Sequence, residues 1–402
     1  MAGFFSIEQT KSLDRVQGRS MSCVSCGMLK ECQHPRMAPW GKMSKGIMIL
    51  CEFPSPVDDE QGRPWCDREG HFLKRVLARY GIDLYEDCLT IHACMCAPAD
   101  GKVPDTSAYN CCRRHVLRAI KERRPLLILA FGLGALHSLY GHLQDKGLGK
   151  MVKWRGFTIP DQSIGAWVCP MYPPAYVKSA ESPVVEVIWE QDIFRALSKL
   201  KEEFPYVPNI DIEEITDLSK LDDIPSGALV AFDYETTGLK PHAKGHRIVC
   251  ASVAYKEAHA YAFMMPKDRR FLEPFLRFLR REDIYKVAHN MKYEEAWSVV
   301  QLGCPVCSWA WDTMQAAHIL DNRPNISGLK FQTFIQFGVL DYASEVSPYL
   351  QAEDDKNANS LNRIDELLKS AEGRSKLLKY CGLDSVYERM LAQKQQKELL
   401  PF

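Results

Sequence analysis

The chain lacks net charge: its 402 residues carry 51 Lys and Arg against 51 Asp and Glu. It therefore has no global basic field, and a polyanion would have to be met by local clusters or bound cations. It has no apolar run of 18 or more residues, so no membrane span is expected. The opening run MAGFFSIEQTKSLDRV has no signal-peptide h-region. No internal repeat or low-complexity tract is present. The apolar fraction of 46% and charged fraction of 25% are those of an ordinary globular protein. The length exceeds what one core usually holds, so two or more domains are expected.

Cysteine, in contrast, is plentiful. Eleven of the 15 lie before residue 170, which separates the two halves chemically. In a reducing cytoplasm, the expected location, such thiols are metal ligands or inert core residues rather than disulfides.

The second half is marked by acids. Residues 228–234 read ALVAFDY, a strand-like run, and Glu235 follows Asp233 at i+2, on the same strand face. Glu294 stands in VAHNMKYEEAW. Tyr380 and Asp384 stand four apart in KYCGLDSVYERM, whose apolar spacing predicts a helix that puts both on one face. Carboxylates from three distant segments suit a pair of hard cations, Mg²⁺ or Mn²⁺. Two such ions, about 4 Å apart, activate a water and stabilise a leaving oxygen in phosphodiester hydrolysis. The Tyr380 hydroxyl would orient that water, or accept its proton if its pKa is lowered.

In order, D-Y-E-T-T-G-L, HNMKYE, WDTMQAAHIL and YCGLD make residues 206–400 resemble the DnaQ-like 3′→5′ exonuclease superfamily. The resemblance is to its DEDDy branch, nearest the proofreading domains of bacterial and phage family-A DNA polymerases. It implies a ribonuclease H-like mixed sheet. It also implies that Asp233, Glu235 and Asp384 hold the inner metal and that Tyr380 positions the nucleophilic water. Glu294 falls where the family most often has Asp, one methylene shorter. Asp312 matches a structural or supporting acid, and Glu295 is expected to face away. His289, Asn290 and Tyr293 are implied as substrate-proximal, with Tyr293 and Tyr234 stacking on terminal bases. The implied substrate is a single-stranded DNA 3′ end. The chain stops about where a polymerase domain would begin, which suggests a separate family-A polymerase partner, as in a split phage replicase, and then the host cytoplasm as location.

The first half shows βα alternation: IMILCE from Ile47, a helix from about Gly70 to Tyr80, CLTIHACMC, a helix from Asp105 to Arg124, then PLLILAFGLGAL. A parallel sheet covered on both faces is expected. Cys23-x-x-Cys26 with Cys96 and Cys112 can hold an iron–sulfur cluster or zinc, Cys111 being an alternative fourth ligand, and spacing leaves cluster, zinc and no metal open. Residues 20–200 resemble the uracil-DNA glycosylase superfamily, nearest its iron–sulfur family-4 group. That resemblance implies a [4Fe–4S] cluster on those four thiols rather than zinc. Glu52 and Pro54 retain part of a G-E-x-P-G loop, and Trp65 stands where an aromatic stacks on a flipped base. His92 replaces the asparagine that reads the base edge, and Tyr172 replaces the histidine that stabilises the leaving uracil anion. Losing both argues for a degenerate pocket, used for DNA holding or docking. Arg113, Arg114, Arg118, Lys121, Arg123 and Arg124 form either a phosphate-contacting stretch or a solvated helix face. Cys304 and Cys307 read as ordinary cysteines.

Prolines in KEEFPYVPNIDIEEITDLSKLDDIPS place a boundary near residue 205, giving domains 1–204 and 205–402. VPNI is expected as an edge strand and EEITDLSKL as the first helix of the second. Competing readings are an RNA 3′ exonuclease, a bifunctional enzyme with an active glycosylase, and a non-catalytic DNA-binding scaffold.

Overall fold

A computed structural model of the protein describes residues 23–99, 101–141, 148–352, 354, 357 and 359–400. The opening run inspected for a leader, and the last two residues, lie outside them. The chain divides into two compact units, residues 1–207 with 334–340, and 208–333 with 341–402.

The first unit is built on β1 (Ile47–Cys51), β2 (Cys88–His92), β3 (Leu127–Phe131), β4 (Ile159–Asp161) and β5 (Ala166–Met171), in the order β2-β1-β3-β5-β4. All pairings are parallel except that of β4 with β5. β1, β2 and β3 are buried along their whole length because both faces are covered. Helices α1 (Arg68–Arg79), α2 (Thr106–Arg123), α3 (Leu133–Tyr140) and α4 (Pro183–Ser198) connect and cover them. Phe72 and Leu77 of α1 and Trp189 of α4 share one core with Ile47, Ile49, Leu127 and Leu129. The Phe72 and Trp189 rings stack there at 5.1 Å. Asp67 and Asp105 cap α1 and α2 through their first backbone amides. The chain leaves β1 for one neighbour and β3 for the other, so the carboxyl ends of these strands form the crevice where open α/β sheets bind ligands.

The second unit holds a six-stranded mixed sheet: β6 (Asp211–Glu214), β7 (Leu229–Thr236), β8 (Ile248–Lys256), β9 (His259–Met264), β10 (Tyr285–Ala288) and β11 (Trp309–Asp312). The order is β11-β10-β7-β8-β9-β6. β7, β8 and β9 are antiparallel neighbours, β10 and β11 run parallel to β7, and β6 runs parallel to β9. This is a ribonuclease H-like α/β fold with an added edge. The edge strand begins after VPNI, and no α-helix starts at Glu213. Glu213 and Glu214 pair with Tyr261 and Ala262, and only Leu218–Asp223 coils, as a 3₁₀ turn capped by Asp217.

Helices α5 (Arg269–Arg280), α6 (Lys292–Trp297), α7 (Thr313–Leu320), α8 (Leu329–Phe337) and α9 (Ala371–Leu399) follow. Phe232, Tyr234, Phe275, Phe278 and Trp297 form the core on one sheet face. On the other face α9 packs Leu377, Leu378 and Cys381 against Val249, Cys250 and Ala262. Gly382 permits that approach, since a Cβ there would meet the Ile212 side chain at 2.6 Å.

Candidate active site

Asp233 and Glu235 sit on the central strand β7, opposite Ser252 and Cys250 of β8. Their shared face looks towards α9. Ser252 Oγ donates to the Cys381 carbonyl at 2.7 Å, and Cys381 Sγ lies 3.7 Å from Asp233 Oδ2. One ligating atom each from Asp233, Glu235 and Cys381 falls within 4.8 Å of the others, the only such group among the described residues. Asp384, one turn beyond Tyr380, is 4% exposed, and its charge, after burial, is the largest influence raising the Asp233 carboxyl. Asp384 is outside the three-atom group. Its Oδ1 accepts from Tyr342 Oη at 2.6 Å and from Lys330 Nζ, whose ammonium lies over the Tyr342 and Tyr380 rings.

Glu294 is 3% exposed, and its Oε2 has no hydrogen-bond partner. Burial, and then Asp233, holds its carboxyl well above the usual range, and Glu235 is raised by the same two causes. Tyr380 is 8% exposed, and burial followed by Asp384 and Glu235 pushes its phenol up. Lys330, Tyr342 and Glu388 were not singled out from sequence. Glu388 alone had a signal, its spacing of four from Asp384. Lys330 and Tyr342 come from segments without a distinguishing pattern.

Tyr293 lines a cleft of about 260 Å³ beside Glu235, Leu239, Leu350 and Asn362, and its hydroxyl bonds Thr236 Oγ1 at 2.6 Å. Tyr234 does not line that cleft. Alternation along β7 turns it into the core, 3% exposed, with its hydroxyl 2.9 Å from Ser298 Oγ. Asn290 adopts a left-handed φ of 74°, which lets Asp312 accept from the amides of Asn290 and Met291, each at 3.1 Å. Asp312 also caps α7, so its oxygens are committed to backbone. His289 Nδ1 lies 2.9 Å from Thr313 Oγ1, and burial lowers the ring to about 4, leaving it neutral. Glu295 turns away to accept from Trp309 Nε1 at 2.9 Å.

Buried carboxylates this close must be neutralised by protons or cations. Buried carboxylates are hard oxygen donors of the kind that take Mg²⁺ or Mn²⁺, and Glu294 Oε2 stands among them without a partner.

In the first unit, Glu52 follows β1, His92 ends β2 and Tyr172 follows β5, so all three stand at the carboxyl edge of the sheet. Glu52 Oε1 accepts from Gly134 N at 2.9 Å, at the start of α3. Trp65 is 9% exposed and donates Nε1 to Thr90 Oγ1 at 2.9 Å. His92 is 3% exposed, and burial lowers it to about 3. Tyr172 packs on Tyr176 at 4.6 Å. Arg113, read as one of a basic stretch, is buried instead and donates to the His137 carbonyl at 2.8 Å. The thiols gather in one neighbourhood: Cys111 is influenced by Cys26 and Cys23, and Cys96 by Cys32 and Cys112. Amides of Arg36 and Met95 point at Cys96 Sγ (3.4 Å) and Cys112 Sγ (3.5 Å). The Cys94 hydrogen bond lowers the Cys112 thiol.

Residues 38–191 match the uracil DNA glycosylase superfamily profile, and residues 211–400 match the 3′-5′ exonuclease profile of family-A DNA polymerases. The type-4 uracil-DNA glycosylase of Pyrobaculum aerophilum is 30% identical over 140 residues, 34% of this chain and 70% of that protein. That of Thermotoga maritima is 27% identical over 166 residues, 40% of this chain and 82% of that protein. The DNA polymerase of Bacillus phage SP01 is 21% identical over 323 residues, 73% of this chain and 34% of the polymerase. The chain belongs to the uracil-DNA glycosylase superfamily through its first domain. Its second is a 3′-5′ exonuclease domain of the family-A polymerase type.

Proposed function

We propose that the chain is a two-metal 3′→5′ exonuclease acting on single-stranded DNA ends and proofreading for a family-A DNA polymerase. The observation that carries this reading is the convergence of Asp233, Glu235, Glu294 and Asp384 beside Tyr380. Bound divalent cations would supply Lewis-acid activation of water and stabilise the leaving oxygen. Asp233, Glu235 and Asp384 would hold one ion and Glu294 the second. Tyr380, protonated, orients the attacking water by hydrogen bonding, and Tyr293 meets the terminal base in the cleft beside Glu235. The match to a phage polymerase is longer than either domain alone, which supports a replicative setting. Release of mononucleotides in Mg²⁺, lost in Asp233→Ala, tests the reading; retained activity in that variant overturns it.

The first domain is read as a non-excising holder or docking module, with a [4Fe–4S] cluster on Cys23, Cys26, Cys96 and Cys112 as a structural staple. The tyrosine at position 172 supports loss of anion stabilisation, and the buried, neutral His92 supports loss of the asparagine-type base reader. A broad absorption band near about 400 nm is the test for the cluster, and its absence with bound zinc favours the alternative metal. The 30% identity to a type-4 glycosylase favours a second reading, an active glycosylase, which an abasic-site assay on uracil-containing DNA decides. No helix among the described residues is long and apolar enough to cross a membrane.

A further inference from the structure

Glu388 stands on α9 four residues after Asp384, which stands four after Tyr380. At 3.6 residues per turn these positions share one helix face, spaced about 6 Å apart along the axis. Glu388 is 2% exposed, and its Oε2 has no hydrogen-bond partner. A buried carboxylate oxygen without a donor is costly unless something supplies positive charge. Burial first, and then the charges of Asp233, Glu294 and Asp384, push its carboxyl up, with Lys330 opposing them, so it lies near the acids of the site described above. Glu294, on α6, is the other acid there with a buried, unpartnered oxygen.

We propose that Glu388 is a fifth carboxylate of the metal site and holds the second divalent cation together with Glu294. This rests on the two-cation reading of Asp233, Glu235, Glu294 and Asp384. Charge balance agrees with it. Five carboxylates against the Lys330 ammonium leave four negative charges, which two divalent cations neutralise. A site of four carboxylates with Lys330 retained would instead be over-neutralised by one charge.

The test is titration of the full chain with Mn²⁺, followed by calorimetry and by the electron paramagnetic resonance of free Mn²⁺, with melting temperature as an activity-independent check. The wild type is expected to take two ions. Glu388→Gln should keep one at wild-type affinity and bind the other at least about tenfold more weakly, as for loss of a supporting ligand. Without metal the same variant should melt higher at neutral pH, because the cost of taking up a proton to bury that carboxyl is gone. Two ions at unchanged affinity in Glu388→Gln overturn the proposal. If that variant does not fold, Glu388→Asp is read in its place, with a weakened second ion supporting the assignment and an unchanged one overturning it. A wild-type chain that takes fewer than two ions, unaffected by Asp233→Asn, overturns the two-cation reading itself and this assignment with it. Two ions lost in Asp233→Asn but retained in Glu388→Gln overturn this assignment alone.

Discussion

Tyr342 donates its hydroxyl proton to Asp384 Oδ1 at 2.6 Å, and Lys330 donates to the same oxygen. Two donors from outside α9 therefore fix the orientation of a carboxylate proposed to face a cation. Tyr342→Phe removes one of them while keeping the ring that packs against Tyr380 and Tyr387. We expect metal affinity or nuclease rate to fall by about 10–100-fold, with circular dichroism unchanged. Mn²⁺ titration and a 3′-end degradation assay measure this.

Tyr380→Phe should retain both metal ions and lose rate. A single positioned proton donor or acceptor contributes roughly 10²–10⁴-fold in such reactions. Single-turnover release of the terminal nucleotide, with binding measured separately, isolates the effect. A drop in affinity with an unchanged rate would contradict the role given to the hydroxyl.

The metal-free chain should lose stability as pH rises. Burial and Asp384 push the Asp233 carboxyl up to about 8. The folded state then holds a proton that the unfolded chain releases near pH 4, so unfolding becomes easier between about pH 4 and 8. Mg²⁺ replaces that proton, so the metal-induced rise in melting temperature should be larger at pH 8.5 than at pH 6. Thermal melts with and without Mg²⁺ at the two pH values measure the difference, and an equal rise at both contradicts it.

Gly132 precedes α3 with φ of +89°, and a Cβ there would meet the Glu52 carboxyl carbon at 2.2 Å. Gly132→Ala should destabilise the first domain by about 3 kcal/mol through backbone strain and displacement of Glu52. Urea denaturation of the full chain, followed by tryptophan fluorescence, reads the shift.

Uracil-containing single- and double-stranded oligonucleotides should yield no abasic sites. On the proposed reading His92, buried and neutral, stands in for the asparagine that reads the base edge, and Tyr172 for the histidine that stabilises the anion. Alkali cleavage of the incubated strands is the measurement, and strand breaks at uracil would restore the active-glycosylase reading.

The two sheets were legible because apolar runs such as IMIL and LILAF admit no other burial. Asp233 with Glu235, and Tyr380 with Asp384, were legible because strand and helix periods put each pair on one face. Period two also contained the correction to Tyr234, since a residue between Asp233 and Glu235 must point the other way. What the sequence hid was tertiary. Lys330 and Tyr342 reach Asp384 across 54 and 42 residues, and no local period announces such a meeting. Arg113 looked like part of a solvated basic face, yet its guanidinium turns inward to His137. The Glu213–Glu214 segment had helix-forming residues, and pairing with β9 overrode that preference.

Tyr380, Asp384 and Glu388 ride on a single uninterrupted helix of 29 residues. Their mutual spacing is thus a property of one stiff rod, and they can only shift together. A single inserted residue between the first and last would swing every later side chain about 100° around the axis. Exchanges that keep the count preserve this geometry, and insertions do not.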